Sequence, residues 1–291
     1  MAIDAPRPCR ILSLVPVSVL EGTVQPTPPT TEPNTAALLR VRGLSKAFRG
    51  LRALDAYELE LPAGRIHGVI GPNGAGKTTL FHLLSGFLRP TTGTIEFDGS
   101  DVTGSPAWKV ARLGMARTFQ NIRLFGDLSV VDNVKVAIQR RWPSSIAATL
   151  LSTPGFRRSE AEIDAAATEL LERVGLAARR EQLARNLPYG DQRRLEIARA
   201  VAIQPRVLLL DEPNAGMNPI ETQDLLGLIR RLRDELGITV VLVAHDIPLV
   251  MNLCERIQVL NYGRLIAEGD PAAVRANPEV VSAYLGQARS A

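Results

Sequence analysis

Gly71-Pro72-Asn73-Gly74-Ala75-Gly76-Lys77-Thr78-Thr79 has the residue types and spacing of a loop built around a phosphate chain. Its glycines let successive backbone N–H groups turn inward on the anion. Lys77 adds a positive charge at the β- and γ-phosphates, and the Thr78 hydroxyl is placed to coordinate Mg2+. The run Arg65–Ile70 reads as a buried strand before the loop, and Thr78–Phe87 as a helix after it, with Phe81, Leu84 and Phe87 at helical spacing. The N-terminal dipole of that helix then points at the same anion.

Val207–Leu210 is a second apolar strand, and Asp211 and Glu212 emerge at its C-terminal end, where parallel sheets place ligands. Asp211 suits a Mg2+ shell; Glu212 suits a base toward an attacking water. Two acids after a strand are usually a solvated loop, but a phosphate loop in the same chain reverses that reading. A third strand, Ile238–Val243, runs into Ala244-His245-Asp246, which puts His245 within reach of a γ-phosphate. His67 and His82 have no such placement and read as ordinary residues.

The elements that must position these groups follow an α/β rhythm. Leu38–Val41, Tyr57–Leu61 and Thr94–Phe97 read as strands, the last ending at the hairpin signal Asp98-Gly99. From Ala107 to about Ile203 the pattern is mostly helical; Glu160–Val174 gathers Ile163, Ala167, Leu170, Leu171 and Val174 on one face. Ile220–Leu236 reads as a helix, and Ile257–Asn261 and Arg264–Ala267 flank Tyr262-Gly263. Apolar strands without alternation belong in a parallel sheet covered on both faces.

Composition narrows the class. The chain has 291 residues, 45% hydrophobic and 22% charged, which suits an ordinary globular core and excludes wholesale disorder. Cys9 and Cys254 cannot make a disulfide framework, which fits a reducing compartment. Ile11–Leu20 and Ile238–Ala244 fall short of the roughly 20 apolar residues of a membrane span. A net charge of +4 is a weak bias and gives no argument for nucleic acid, whose binding face would need a clustered basic patch. Residues 1–36 hold seven of the twenty prolines and no period, and read as a disordered extension. Arg7 and Arg10 before Ile11–Leu20 faintly resemble a secretory signal, but Pro16 makes a poor signal core.

Together these motifs resemble the ABC-type ATP-binding cassettes over about residues 37–286. The resemblance implies a P-loop NTPase (RecA-like) α/β core, an N-terminal antiparallel β subdomain and an inserted α-helical subdomain at about 121–200. It implies ATP and Mg2+ as ligands. Gln120 matches the family's glutamine loop, near the Mg2+ and water, and Phe48 the aromatic that stacks on adenine. The signature stretch is Leu187-Pro188-Tyr189-Gly190-Asp191-Gln192, with Pro188 and Tyr189 replacing the usual Ser and first Gly. Cassettes of this family pair head to tail, so Leu187, Tyr189, Gly190, Asp191 and Gln192 would act on the nucleotide of a second ATP-binding subunit. Asn218, in Ala215-Gly216-Met217-Asn218-Pro219, stands where many cassettes have Asp.

The departures, with the stretches Gly114–Phe125, Trp142–Phe156 and Asn277–Gly286, resemble the ATPases of branched-chain amino-acid importers; urea or amide importers and a lipopolysaccharide-export ATPase share parts of them. The resemblance implies two integral-membrane permeases, a homo- or heterodimeric cassette pair, a periplasmic substrate-binding protein, and a peripheral place on the cytoplasmic face of the bacterial inner membrane. A soluble cassette ATPase on ribosomes or DNA is disfavoured by a single cassette and by only about 110 residues, without heptads, between Gly76 and Leu187. A small-molecule kinase would not need the signature, Gln120 and His245 together.

Overall fold

A computed structural model describes residues 37–139, 154–244 and 246–285. Two sheets organise them. Strands β1 (Ala37–Phe48), β2 (Leu51–Pro62), β4 (Thr92–Phe97) and β5 (Ser100–Asp101) form an antiparallel sheet in the order β2-β1-β4-β5. The β1–β2 strands run longer than hydropathy suggests and close through Arg49 and Gly50, both with positive φ, as a tight hairpin demands. Asp98 and Gly99 do the same between β4 and β5.

The second sheet has the order β10-β9-β3-β8-β7-β6, from β3 (Ile66–Ile70), β6 (Met115–Arg117), β7 (Val207–Asp211), β8 (Thr239–Val243), β9 (Arg256–Asn261) and β10 (Arg264–Gly269). All neighbours are parallel except β9 and β10. Every residue of β3, β7 and β8 is buried, as continuous apolar strands require. Alternate residues face two cores. Val69, Leu209, Val241 and Val243 pack with the antiparallel sheet and with α1 (Lys77–Leu84). Ile70, Leu208, Leu210 and Leu242 pack beneath the remaining helices.

Those helices are mainly α3 (Val130–Gln139), α4 (Pro154–Arg173), α5 (Tyr189–Ala202), α6 (Pro219–Leu236) and α7 (Ile247–Leu253), following α2 (Ala107–Leu113). On α4, the face Ile163, Ala167, Leu170 and Leu171 is buried as its period predicts, with Val174 just beyond. Two expectations change. The helix after the phosphate loop stops at Leu84, and Gly86, at φ +74°, turns the chain so that Phe87 is half-exposed rather than in the core. A Cβ at Gly86 would come 2.5 Å from the Ser105 carbonyl oxygen. The stretch read as mostly helical also holds the edge strand β6, too short to show a period. Residues 142–153 of the Trp142–Phe156 stretch lie outside the described residues, as do residues 1–36. No helix among the described residues is long and apolar enough to cross a membrane.

A polar cluster is buried where the two sheets meet. The Tyr57 hydroxyl donates to Gln258, and Gln258 Nε2 donates to the Glu58 carbonyl (3.0 Å) and to Glu268 (3.0 Å). Beside it His67 is buried with Nε2 unpartnered, and burial pushes its imidazole down to about 4, against the opposing pull of Glu268 and Gln258. The native protein therefore excludes a proton that the unfolded chain accepts near pH 6.5. This contribution is full above pH 6.5 and is lost as pH falls toward 4. Between pH 7.5 and pH 5 the fold should lose about 2 kcal/mol through this residue. Urea unfolding at both pH values checks it: His67→Gln should show a correspondingly smaller difference.

Candidate nucleotide site

The phosphate loop leaves the C-terminal end of β3 and is shaped by contacts that only glycine admits. A Cβ at Gly71 would lie 2.2 Å from the Leu260 carbonyl oxygen. At Gly76, with φ +105°, it would lie 2.5 Å from the Ala53 carbonyl oxygen. Hydrogen bonds from Asp55 N to Gly263 O (2.8 Å) and from Gly263 N to Ala75 O (2.9 Å) tie the loop to β2 and to the β9–β10 turn. Gly76 then caps α1 in the left-handed conformation without a side-chain acceptor, leaving the first-turn N–H groups to an anion.

Lys77 is buried and folded back over the loop: Nζ donates to the carbonyls of Gly71 (2.6 Å) and Pro72 (2.9 Å). Burial lowers its pKa, and Glu212 and Asp211 oppose that shift, which places the ammonium within the field of both carboxylates. Thr78 and Asn73 are exposed, and Thr79 is half-buried.

Asp211 is the last residue of β7, and Glu212 follows it with φ +47°, a conformation that a non-glycine residue adopts at a cost. The Glu212 N–H donates to the Val243 carbonyl (2.8 Å), extending the β7–β8 ladder and holding the strained residue in place. Gln120 Nε2 donates to Glu212 Oε2 at 3.2 Å, so the two residues singled out from sequence meet. Asp211 Oδ2 accepts from Arg117 at 2.8 Å, with both side chains almost fully buried. Arg117 also donates to Ser85 Oγ (3.1 Å) and lies over the Phe81 and Phe119 rings. Arg117 lies within the Gly114–Phe125 stretch, and nothing in the sequence around it points to a role. Its partner is 94 positions away, and no local pattern reports such a pair. For Mg2+, the Thr78 hydroxyl, the Gln120 amide oxygen and the Asp211 carboxylate are hard oxygen donors of the kind that ion takes, so the donor set fits.

The signature residues form a second group. Leu187 is buried, and its carbonyl accepts from Gln192 Nε2 (2.9 Å), while Asp191 pairs with Arg179 (3.3 Å). Tyr189 and Gly190 open α5, again an N-terminus with no side-chain cap. A Cβ at Gly190 would lie 3.0 Å from Glu221 Oε1, and one at Gly216 would lie 3.3 Å from the Tyr189 ring. Tyr189, in place of a glycine, therefore packs on the loop that follows Glu212. In that loop Asn218 caps α6 through a reciprocal box with Glu221, a position where Asn and Asp serve alike. Phe48 lies at the end of β1, 42% exposed, with Lys46 Nζ 5.1 Å from its ring centroid. His245 lies outside the described residues.

A phosphate loop and two strand-end carboxylates on one edge of a parallel sheet, with a separate uncapped helix start packed on the loop after Glu212, define a nucleotide-binding cassette of the P-loop class. The family model described as ABC transporter matches residues 54–215, and one described as branched-chain amino acid ATP-binding cassette transporter matches residues 264–289. The chain belongs to the ABC transporter family, as an ATP-binding subunit with ATP hydrolase chemistry. It is 47% identical over 251 residues to the high-affinity branched-chain amino acid transport ATP-binding protein BraF of Pseudomonas aeruginosa, covering 86% of this chain and 98% of that one. It is 48% identical over 252 residues to LivG of Escherichia coli, a protein of the same description, with the same coverage. A solved ATP-binding cassette of an ABC transporter in its ADP conformation superposes with a TM-score of 0.74 at 29% identity, covering 86% of this chain and 99% of that chain.

The Arg117–Asp211 pair generates a stability prediction. Arg117→Met leaves a buried carboxylate uncompensated and should cost about 3–5 kcal/mol. Arg117→Met combined with Asp211→Leu should recover most of that loss. Urea unfolding of the nucleotide-free protein measures both.

Proposed function

We propose that this chain is the ATPase subunit of an importer for branched-chain or related amino acids. The observation that carries this reading is the 47–48% identity, over nearly the whole length of the relatives, to proteins described as high-affinity branched-chain amino acid transport ATP-binding proteins. The family match at residues 264–289 supports it from a separate segment. The chain would work on the cytoplasmic face of a bacterial inner membrane, against two integral-membrane permeases and beside a second ATP-binding subunit. Substrate choice would rest with the permeases and a periplasmic binding protein.

In this reading ATP is the substrate, held between the Gly71–Thr79 loop of one subunit and the Leu187–Gln192 turn of the other. The loop N–H groups and Lys77 bind the β- and γ-phosphates. Phe48 stacks on the adenine. Thr78, Asp211 and Gln120 would hold Mg2+, which when bound offsets charge on the phosphate oxygens. Glu212, oriented by Gln120, takes a proton from the water that attacks the γ-phosphorus. The bond to the β–γ bridging oxygen breaks, giving ADP and phosphate. His245 contacts the γ-phosphate.

Two experiments test this. Glu212→Gln should lower turnover at least 100-fold with nucleotide affinity retained, and Lys77→Ala should lose both; wild-type turnover in Glu212→Gln would sink the base assignment. Gentle solubilisation of native membranes, with the chain tagged at its C-terminus, should bring down two polytopic permeases and a cassette partner. Permeases for urea or a lipid would move the substrate assignment, and ribosomes or DNA-repair factors would overturn transport.

A further inference from the structure

Arg193 on α5 has no solvent exposure, and only one of its four partners is a carboxylate. Its Nη1 donates to the Phe119 carbonyl (2.7 Å) and to Glu196 (2.6 Å). Its Nη2 donates to the Gln120 carbonyl (2.9 Å) and reaches the Tyr189 hydroxyl at 3.3 Å. Glu196, one turn on, accepts from the Phe119 N–H at 3.2 Å. A further turn on, Arg199 donates to the Arg123 carbonyl and lies 4.6 Å from the Phe125 ring centroid. Three successive turns of one helix thus grip the backbone of a single loop. Both the N–H and the C=O of Phe119, and the C=O of Gln120, are held from α5.

That loop has no regular secondary structure to fix its own backbone. The Gln120 side chain leaves it to meet Glu212 Oε2. The same helix begins at Tyr189-Gly190, whose ring packs against Gly216 in the loop after Glu212. A planar, five-donor guanidinium can hold two adjacent carbonyls, a carboxylate and a hydroxyl at once; an ammonium cannot match that fork.

We propose that Arg193 and Glu196 are positioning residues for hydrolysis: they fasten the Gln120 loop to α5, so that the placing of Gln120 against Glu212 follows the start of that helix. This rests on the reading given under Proposed function, in which the start of α5 touches the nucleotide of the paired subunit. The contact at one nucleotide is thereby transmitted, through the Arg193 guanidinium, to the base at the other.

The test is a double-mutant cycle on the assembled transporter, or on the full chain if it hydrolyses ATP alone. Arg193→Lys should lower kcat about tenfold, with KM and nucleotide affinity within about twofold of wild type. Glu196→Gln, which keeps the shape and one acceptor, should show a smaller loss of the same kind, and it serves if the lysine variant does not fold. In a Gln120→Ala background neither substitution should lower kcat further, because the group they position is gone. A kcat left at the wild-type value in folded Arg193→Lys and Glu196→Gln overturns the proposal. So does a loss that multiplies with that of Gln120→Ala, which would make the clamp plain packing while leaving the site reading standing. Unchanged turnover in Gln120→Ala alone would sink the site reading and the clamp together.

Discussion

The inter-strand register of the parallel sheet is the constraint on which the site depends. Val69 of β3 stands opposite Val243 of β8, and Val243 stands opposite Asp211 of β7. The chain therefore leaves three adjacent strands at one level. Two residues past Val69 is Gly71, the start of the phosphate loop; one past Asp211 is Glu212; one past Val243 is Ala244. A slip of one residue in either pairing would turn alternate side chains to the opposite core and separate loop from carboxylates. The apolar runs guard against that slip, because each strand is buried on both faces and each face has a distinct core waiting for it.

What could be read from sequence follows from how local each signal is. The phosphate loop, the strand-end acids and the buried face of α4 are encoded in contiguous or periodic residues, and the structure places them as strand, loop and helix in that order. The β6 strand was not legible, because three residues carry no period and its pairing with β7 lies about ninety positions away. Phe87 was misplaced because helical spacing continued past the point where Gly86 turns the chain. Arg117, Arg193 and Glu196 were invisible for another reason. Charged residues in a helical or loop pattern read as solvent-facing, and only the fold reveals that their partners are backbone or carboxylate groups 70–100 positions off.

Buried cations recur at the points where backbone segments must be held in place, within one loop at Lys77 and between distant segments at Arg117 and Arg193. Lys77 closes the phosphate loop on its own carbonyls, Arg117 joins β6 to the end of β7 and to α1, and Arg193 joins α5 to the Gln120 loop. Replacing such pairs by apolar residues often leaves stability unchanged or raised. Their worth here lies in geometry. An apolar contact between α5 and the loop could slide, whereas two carbonyls, an amide and a carboxylate held by one guanidinium and its partner set both distance and orientation.

The same argument explains why Glu212 can tolerate an unfavourable backbone. A positive φ outside glycine costs on the order of 1 kcal/mol or more and persists only where neighbours determine it from several sides. Here the Glu212 N–H is committed to Val243, its side chain to Gln120, and the residue before it to Arg117. Each neighbour is itself anchored: Val243 in the centre of the sheet, Gln120 by Arg193, and Arg117 between two aromatic rings. The strained conformation turns the carboxylate out of the strand and toward the phosphate loop, where the field of Lys77 meets it. An unstrained residue there would continue the β7 direction, and the carboxylate would follow the sheet instead of facing the phosphate loop.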